Sequence, residues 1–293
     1  MEPVGITPAK RGFFGETWRI ETSEGVYFVK LDYSPLHQQY FRDGLAVVDH
    51  LVRHGIGFVS RVIPTLSGKN HCMFDGAVLG ILDWCEGENI ETDETKQTEY
   101  TMLARVYSVP LDGLQILRAD LSDREAATFR QQRDLIRDPK LTAFFAMREP
   151  LLSQRAARLT YLAQQCQQDM THFYLTHGDA GGNLIVAPTR CYLVDWDYAQ
   201  LAPPERDAWV MVHKPWAQDM FNHALADAGV EYQLRPERLT YYAYNWWFTY
   251  LNDYLTRYLE TGIVPPDLYA YFDGWIEERI DCADRLLVHR VSG

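Results

Sequence analysis

Residues 175–207, LTHGDAGGNLIVAPTRCYLVDWDYAQLAPPERD, decide the fold of this chain. A strand is expected to end in the tripeptide HGD, whose last residue is Asp179, and a glycine loop leads from there to Asn183. The apolar runs NLIVA and CYLVDW, separated by a Pro-Thr-Arg turn, predict a lone β-hairpin. Because that hairpin ends at Asp195, it carries a second polar loop back toward the first.

The side chains on these two loops suit phosphoryl transfer. That reaction needs a carboxylate to orient the attacking hydroxyl and accept its proton, and ligands for magnesium ions that neutralise the phosphates. Asp179 can supply the first part, and Asn183 and Asp195 the second, since magnesium prefers oxygen donors and completes its shell with water and phosphate.

The order HGD…N, hairpin, DWD resembles the catalytic and metal loops of the aminoglycoside phosphotransferase and choline kinase superfamily, itself related to protein kinases. The string VDWDYAQLAPPERD resembles the spectinomycin phosphotransferase branch in particular. The resemblance implies that Asp179 is the catalytic base and that Asn183 and Asp195 bind the metal. It makes His177 a loop-positioning residue and Asp207 a structural anchor at the start of the next helix.

The catalytic loop departs from the family in length. The family usually places four residues between the aspartate and the asparagine, whereas Asp179 and Asn183 are separated by three. A shorter loop must turn more tightly, and Gly181 and Gly182 can adopt the positive φ that such a turn requires.

The first 84 residues predict a small antiparallel sheet that carries one helix. GETWRIET and VYFVKLDY are rich in β-branched and aromatic residues, and the Ser-Glu-Gly sequence between them predicts a hairpin. Apolar residues then recur at helical spacing over residues 36–54. Three further strand candidates follow, FVSRVIPT, NHCMF and AVLGILDW.

The resemblance requires a lysine on an N-terminal strand to hold the nucleotide's α- and β-phosphates. Lys30 in VYFVKL fits that requirement. Its acidic partner is expected on helix 36–54, where the candidates are Asp43 and Asp49, and Asp43 is favoured by its distance from Gly55. The glycine loop over the phosphates is placed by the resemblance at RGFFGET, which holds only Gly12 and Gly15.

The segment AVLGILDWCEGEN resembles the hinge of these enzymes, at about residues 82–88. The backbone from Asp83 to Cys85 is expected to bond the purine edge of the nucleotide. Backbone contacts leave almost no side-chain signature, so the sequence does not distinguish ATP from GTP. The cofactors that the resemblance implies are ATP, with GTP not excluded, and Mg²⁺.

The expected fold class is α+β, a two-lobed protein-kinase-like fold. A nucleotide-binding N-lobe would span residues 1–84, and a mainly helical C-lobe with the catalytic loop, metal loop and acceptor site would span residues 85–293. Helical patterns support this division, at residues 93–110, 121–137, 150–170, 204–229, 236–260 and 265–288.

An aromatic helix supplies the candidate acceptor site. Tyr242, Trp246, Tyr250 and Asp253 follow one another at spacings of four, four and three, which places three rings and a carboxylate on one helix face. Such a face packs in a core in many proteins. In this family the late helices line the acceptor pocket, and rings with an acid suit a polyhydroxylated or aminated ligand.

The charge of the chain bears on its partners. Twenty-eight basic against forty acidic residues give a net charge of −12, which argues against nucleic acid, because a phosphate backbone needs a basic surface. A polar or cationic small molecule with a hydroxyl group is the expected partner. No stretch approaches the ~20 apolar residues of a membrane span, and the N-terminus lacks a signal-peptide pattern, so a cytoplasmic protein with no membrane partner is expected.

The resulting functional hypothesis is transfer of the nucleotide γ-phosphoryl group to a small-molecule hydroxyl. An aminoglycoside or aminocyclitol antibiotic is the favoured acceptor class, which would mean resistance or self-protection. One alternative is a metabolic kinase acting on choline, homoserine, methylthioribose or a fructosamine. Another is a nucleotide-binding pseudokinase.

Overall fold

The computed structural model of the chain describes residues 2–9 and 15–291. Its strands are β1 (Pro3–Pro8), β2 (Glu16–Thr22), β3 (Gly25–Asp32), β4 (Cys72–Phe74), β5 (Ala77–Asp83), β6 (Glu88–Asn89), β7 (Tyr174–Thr176), β8 (Leu184–Val186), β9 (Cys191–Leu193) and β10 (Gln200–Ala202). Its helices are α1 (Gln38–Arg53), α2 (Asp93–Tyr107), α3 (Arg124–Asp134), α4 (Pro139–Met147), α5 (Glu149–Cys166), α6 (Glu205–Ala208), α7 (Ala217–Asp227), α8 (Pro236–Thr261), α9 (Leu268–Tyr271) and α10 (Trp275–Val291). A short 3₁₀ helix spans Trp209–Met211.

The N-terminal sheet has five antiparallel strands in the order β1-β2-β3-β5-β4. The predicted hairpin is confirmed as β2 and β3, in which Thr17 lies opposite Lys30. Two details differ from the sequence prediction. Strand β1, at the edge of the sheet, was not predicted, because it begins and ends at proline. The segment FVSRVIPT is not a strand and contributes only an isolated bridge from Val62 to Leu82.

Helix α1 packs against the N-terminal sheet through its apolar face. Phe41 and Leu45 are each 2% exposed, and both approach Gly80 of β5. A Cβ atom on Gly80 would lie 2.7 Å from Phe41 Cζ and 2.8 Å from Leu45 Cδ1. The missing side chain at Gly80 therefore lets the helix lie close to the strand that pairs with the lysine strand β3.

The hairpin expected from NLIVA and CYLVDW forms as β8 and β9, but it is not alone. Strand β6 pairs with β8 and makes a three-stranded sheet. The side-chain amide of Asn89 adds hydrogen bonds to the carbonyl oxygens of Gly182 and Leu184. The segment after the hinge is thus tied to the end of the glycine loop, a contact that no local pattern indicates.

The long helix α8 is the centre of the helical packing, with α3, α5 and α10 against it. Its core side chains include Trp247, Phe248, Leu251 and Leu255, each 0% exposed. Pro236 starts the helix, where its fixed φ suits the first turn. Gly262 caps its end in the left-handed conformation, which glycine adopts without a steric cost.

Packing divides the chain into two compact units. The first comprises Met1–Arg118, Tyr174–Ala202 and His223–Glu231, and the second Ala119–Phe173, Pro203–Asn222 and Tyr232–Gly293. The catalytic and metal loops thus belong to the same unit as the N-terminal sheet. The lobe boundary at residues 84 and 85 stays a prediction. Within the described part of the chain, no helix is both long and apolar enough to cross a bilayer.

Candidate active site

The glycine loop from Asp179 to Asn183 is a tight turn. The Asn183 backbone N–H donates to the Ala180 carbonyl at 3.1 Å, and Gly182 has a φ of +89°, as the shortened loop requires. The side-chain amide of Asn183 donates to the carbonyl oxygen of Asp179 at 2.6 Å and to its Oδ2 at 3.2 Å. The shorter loop therefore still brings the Asp179 and Asn183 side chains together.

His177 lies beneath this loop and is 0% exposed. Its Nδ1 accepts from the Asp179 backbone N–H at 3.2 Å, and its Nε2 lies 2.9 Å from the carbonyl oxygen of Val194. Accepting at Nδ1 makes Nε2 the protonated nitrogen that donates to Val194. His177 therefore joins the loop of Asp179 to the residue that precedes Asp195.

Asp195 follows strand β9 with an exposed side chain and a φ of +64°. A left-handed backbone at an aspartate costs free energy and tends to persist at functional sites. The Val194 backbone N–H donates to the Asn183 carbonyl at 3.0 Å. This bond places the backbone at Asn183 beside the backbone that leads into Asp195.

Lys30 reaches this site from strand β3. Its side chain is 9% exposed, and its Nζ lies 2.5 Å from Asp197 Oδ2 and 3.8 Å from Asp195 Oδ1. Burial acts to lower the pKa of Lys30, but the charges of Asp197 and Asp195 outweigh it and raise that pKa above its ordinary value. Lys30 is therefore a buried cation with two carboxylates in reach.

The partner of Lys30 differs from the sequence prediction. Asp43 does not pair with it: the Asp43 carboxylate accepts instead from the Gln39 side-chain amide at 2.8 Å. The helix residue that approaches the metal loop is Gly44, where a Cβ would lie 3.0 Å from Asp197 Cα and Oδ1. The prediction was wrong because the helix meets the loop with a glycine, and the loop provides the acid.

Asp32 and His37 complete the surroundings of Asp197. Asp32 is the last residue of β3 and is 0% exposed, and its Oδ2 bonds to His37 Nδ1. The other ring nitrogen, Nε2, lies 3.8 Å from Asp197 Oδ2. A buried carboxylate thus orients the imidazole toward Asp197.

The hinge segment uses part of its backbone within the protein. The Asp83 N–H donates to the Arg61 carbonyl at 2.8 Å, and the Trp84 N–H donates to the Val26 carbonyl at 3.2 Å. The Asp83 carbonyl accepts from the Ser60 hydroxyl. The Asp83 N–H is therefore not available to a purine, and Cys85 is the residue of the expected set whose N–H has no partner among the described residues.

A second buried lysine lies beside the glycine loop. Lys96 of α2 is 7% exposed and pairs with Glu99 at 2.9 Å. A Cβ on Gly181 would lie 3.7 Å from its Nζ. Lys96 brings a cation to the catalytic loop, and no pattern in the sequence indicates this.

Gly12 of RGFFGET, in the predicted glycine loop over the phosphates, lies outside the described residues.

The aromatic face of α8 is part of a larger group of rings, here called the aromatic cluster: Trp209, Trp246, Tyr250 and Trp275. Ring centroids lie 6.2 Å apart for Trp209 and Trp246, 5.4 Å for Trp246 and Tyr250, 5.8 Å for Tyr250 and Trp275, and 6.1 Å for Trp275 and Trp209. The four rings therefore form a closed circuit. Trp275 is 47% exposed, so the cluster has a face open to solvent.

Two of the predicted acceptor residues behave differently from each other. Tyr242 is 3% exposed and packs edge-on against Tyr241, so it belongs to the interior and not to an acceptor surface. The Asp253 side chain is exposed, yet the protein around it desolvates the carboxyl and raises its pKa to about 6.

Asp207, the predicted anchor, is 5% exposed within α6.

A family model for the phosphotransferase enzyme family (APH) matches residues 5–242. The chain belongs to this family. No curated protein sequence matches it significantly. The members of this family are small-molecule phosphotransferases, and the chain is an enzyme of that kind.

Solved structures of phosphotransferases share the fold. The spectinomycin phosphotransferase APH(9)-Ia, solved with ADP and spectinomycin, has a TM-score of 0.73 at 18% identity over 94% of this chain and 92% of its own. Choline kinase LicA from Streptococcus pneumoniae has a TM-score of 0.62 at 14% identity over 99% and 95%. Amicoumacin kinase hAmiN, solved with AMP-PNP, Ca²⁺ and Ami, has a TM-score of 0.62 at 14% identity over 96% and 88%. These likenesses confirm the kinase-like fold of the phosphotransferase.

The oxygen donors of this phosphotransferase fit a magnesium ion. The side-chain amide nitrogen of Asn183 donates to Asp179, which leaves its Oδ1 to coordinate a metal. Asp195 has an exposed carboxylate, and the residue before it, Val194, is hydrogen-bonded to the Asn183 backbone. Two protein oxygen donors are typical of magnesium sites that are completed by water and nucleotide phosphates.

Sequence reasoning missed several residues that the structure places beside the predicted ones. Asp197 stands in the quoted DWD motif, and its spacing of two from Asp195 was the available signal. Asp32 and His37 flank the predicted strand and helix without forming a motif. Trp209 and Trp275 come from separate elements, so no single helix face could reveal the closed circuit of rings.

Proposed function

We propose that this enzyme transfers the γ-phosphoryl group of ATP, in the presence of Mg²⁺, to a hydroxyl of a polar or cationic small molecule. One observation carries the proposal: His177 and the Asn183–Val194 backbone bond hold the glycine loop and the metal loop together, and Lys30 reaches the same loop pair. Phosphoryl transfer needs this combination of carboxylate, metal ligands and cation.

Each side chain has a part in this proposal. Asp179 orients the acceptor hydroxyl and takes its proton, and Lys30 neutralises charge on the α- and β-phosphates. Asn183 and Asp195 would hold magnesium, which supplies charge neutralisation at the phosphates when bound. His177 keeps Asp179 and Asp195 in register. The Cys85 N–H is available to the purine, and its thiol stays protonated because burial raises its pKa to about 11.

The acceptor class is proposed from the aromatic cluster and its acidic neighbour. Aromatic faces attract cations, and Asp253 carries a carboxylate on the same helix as Trp246 and Tyr250. An aminoglycoside or aminocyclitol antibiotic has the amines and hydroxyls that suit such a surface. Antibiotic resistance or self-protection in the cytoplasm is the role that would follow.

A nucleotide-consumption screen tests the proposal. The purified enzyme is incubated with ATP or GTP and Mg²⁺ against aminoglycosides, spectinomycin-like aminocyclitols and metabolic alcohols such as choline, homoserine and methylthioribose. We expect acceptor-dependent ADP release with at least one aminated antibiotic and none from Asp179→Ala. Turnover with a metabolic alcohol alone would replace the antibiotic class by a metabolic one. Nucleotide binding with no phosphate transfer across the panel would favour the pseudokinase alternative.

A further inference from the structure

We propose that Asp197 is the positioning residue for Lys30, in the place that a helix acid holds in related kinases. The inference rests on the proposed function, since it assigns Lys30 to the nucleotide phosphates. It adds to that function a role for the second aspartate of the DWD motif. The residue acts through Lys30 and not as a ligand of the metal.

The first argument is the geometry of the pair. Lys30 and Asp197 are 7% and 6% exposed, and Lys30 Nζ lies 2.5 Å from Asp197 Oδ2 but 3.8 Å from Asp195 Oδ1. A buried ammonium that loses its hydrogen-bonded counter-ion is left with an uncompensated charge. The closer carboxylate therefore determines where the ammonium lies.

The second argument comes from helix α1. Gly44 of this helix lies against the metal loop, and a Cβ there would lie 3.0 Å from Asp197 Cα, Asp197 Oδ1 and the carbonyl carbon of Trp196. Two of these three atoms belong to backbone, which cannot rotate away. No acidic side chain fits at this point of the helix, and Asp43 next to it bonds to Gln39, so the carboxylate beside Lys30 comes from the loop.

The third argument is the set of side chains around Asp197. His37 Nε2 lies 3.8 Å from the same oxygen that Lys30 contacts. Asp32 fixes the imidazole through Nδ1 and is itself held by the Ser34 backbone N–H at 2.9 Å. Asp32 and Lys30 stand two positions apart on strand β3, so one strand carries both the lysine and the residue that orients the imidazole next to Asp197.

This arrangement separates the two aspartates of the DWD motif. The Asp195 side chain is 44% exposed and available to a metal, whereas the Asp197 side chain is 8% exposed and directed to Lys30. A residue that acts through Lys30 should affect phosphate binding even when no metal is present. A metal ligand should not.

Metal-free ADP binding therefore provides the test, with EDTA present and a fluorescent ADP analogue as the probe. Wild type, Lys30→Met, Asp197→Asn and the double variant form a mutant cycle. We expect each single variant to weaken metal-free binding on the order of tenfold, the size of one charged hydrogen bond, and the double variant to be no weaker than either. The matched helix change Asp43→Asn should behave as wild type in metal-free binding, because its carboxylate bonds to Gln39 and not to Lys30.

The opposite results are distinct. Additive effects in the double variant, or normal metal-free binding by Asp197→Asn, would overturn the inference. An effect of Asp197→Asn confined to Mg²⁺-dependent binding would make Asp197 a metal ligand and overturn it as well. If Asp197→Asn does not fold, as a thermal melt would show, Asp197→Glu carries the same cycle. Failure of wild type to bind any nucleotide would instead reject the proposed function itself.

Discussion

At the scale of single residues, Asp179 combines an exposed carboxylate with a backbone that is fixed from beneath. His177 accepts from its N–H, and the Asn183 amide donates to its carbonyl and its carboxylate. A group held in this way loses little conformational freedom when an acceptor hydroxyl binds, and that is how positioning accelerates a reaction.

We predict that Asp179→Ala lowers kcat by about 10²–10⁴-fold, the usual contribution of a general base, while ADP binding is retained. The physical reason is loss of proton acceptance without loss of any phosphate contact. Single-turnover rates and ADP affinity, measured on the same preparation, check the prediction. Asp112→Ala, at another exposed aspartate, serves as control. Near-normal turnover by Asp179→Ala would remove Asp179 from this role.

The sequence made some of these residues predictable and not others. Asp179, Asn183 and Asp195 fall within one short segment, and their order alone indicates the chemistry. The partner of Lys30 lies 167 positions away along the chain, and helix 36–54 offered an acid at a plausible position. The choice between Asp43 and Asp197 depends on tertiary contacts, which put Asp43 against Gln39 and Asp197 against Lys30.

At the scale of elements, the contact of helix α1 with the metal loop predicts that alanine at position 44 is destabilising, although alanine usually stabilises a helix. Gly44→Ala should gain up to about 1 kcal/mol of helix propensity, yet we expect it to lower the melting temperature and weaken ADP binding. The added Cβ would press on the backbone of residues 196–197, and backbone cannot move aside as a flexible side chain can.

Gly57→Ala is the matched control for this prediction, because a Cβ at Gly57 meets nothing within 4 Å. Thermal melts and ADP titrations of both variants give the measurement. A Gly44→Ala protein as stable as wild type, with normal ADP affinity, would show that the loop accommodates the methyl group and that the close approach is not required.

Helix α8 offers adjacent tryptophans with different surroundings. Trp246 is part of the aromatic cluster, whereas Trp247 is 0% exposed and packs against Phe248, Tyr271 and Phe272. We predict that Trp246→Ala and Asp253→Asn raise the acceptor KM, each by the equivalent of roughly 1–2 kcal/mol, with the nucleotide KM unchanged. Trp247→Ala should instead reduce stability by about 3–5 kcal/mol.

Steady-state kinetics and thermal melts of the three variants separate these effects. A destabilised Trp246→Ala whose folded fraction has a normal acceptor KM would assign Trp246 to the core together with Trp247. The sequence could not distinguish Trp246 from Trp247, because helical spacing shows on which face of the helix each ring lies but not which other elements pack against that face. Trp209 and Trp275, which close the circuit with Trp246, come from other elements.

The predictability of elements follows the range of their interactions. The β2–β3 hairpin, helix α1 and the long helix α8 have periodic apolar patterns, and these were predicted close to their observed bounds. Strand β6 has two residues and exists because β8 lies beside it. The prediction of a lone hairpin failed for that reason.

At the scale of the whole molecule, one buried carboxyl makes the stability of the protein depend on pH. Glu205 is 0% exposed, and burial raises its pKa to about 7. Its Oε1 accepts from the Tyr232 hydroxyl at 2.7 Å and from the Arg235 N–H at 2.6 Å, while Oε2 has no hydrogen-bond partner among the described residues. The folded protein therefore favours the protonated acid.

The sign of the effect follows from linkage. Because the pKa of Glu205 is higher in the folded than in the unfolded chain, the protonated acid contributes fully to the stability of the fold below about pH 4.5. This contribution is lost as the pH rises through about 7. We predict that Glu205→Gln matches wild type in melting temperature near pH 5 and exceeds it at pH 8. At about 1.4 kcal/mol per pKa unit, the free energy of unfolding of wild type at pH 8 should be lower than that of the variant by roughly 3 kcal/mol. Melts across this range, with exposed Glu231→Gln as control, test it; a constant difference at all pH values would contradict the assignment to Glu205.

The kinase-like architecture could be predicted from the sequence because the family motif fixes the order of loop, hairpin and loop. The acceptor could not. The rings of the proposed acceptor surface meet from three separate elements, and one fold can host many different functions, so the fold carries no substrate information.

The contact between Lys30 and Asp197 has a consequence for how such an enzyme can be inhibited. In protein kinases the lysine pairs with an acid on a helix, and the position of that helix controls activity. Here the acid is two residues from Asp195 in the same loop, so the counter-charge of the lysine does not move away with α1. A compound that inhibits by drawing α1 outward would not remove the carboxylate from Lys30, whereas one that presses α1 inward at Gly44 would push on residues 196–197 and so on the ion pair itself.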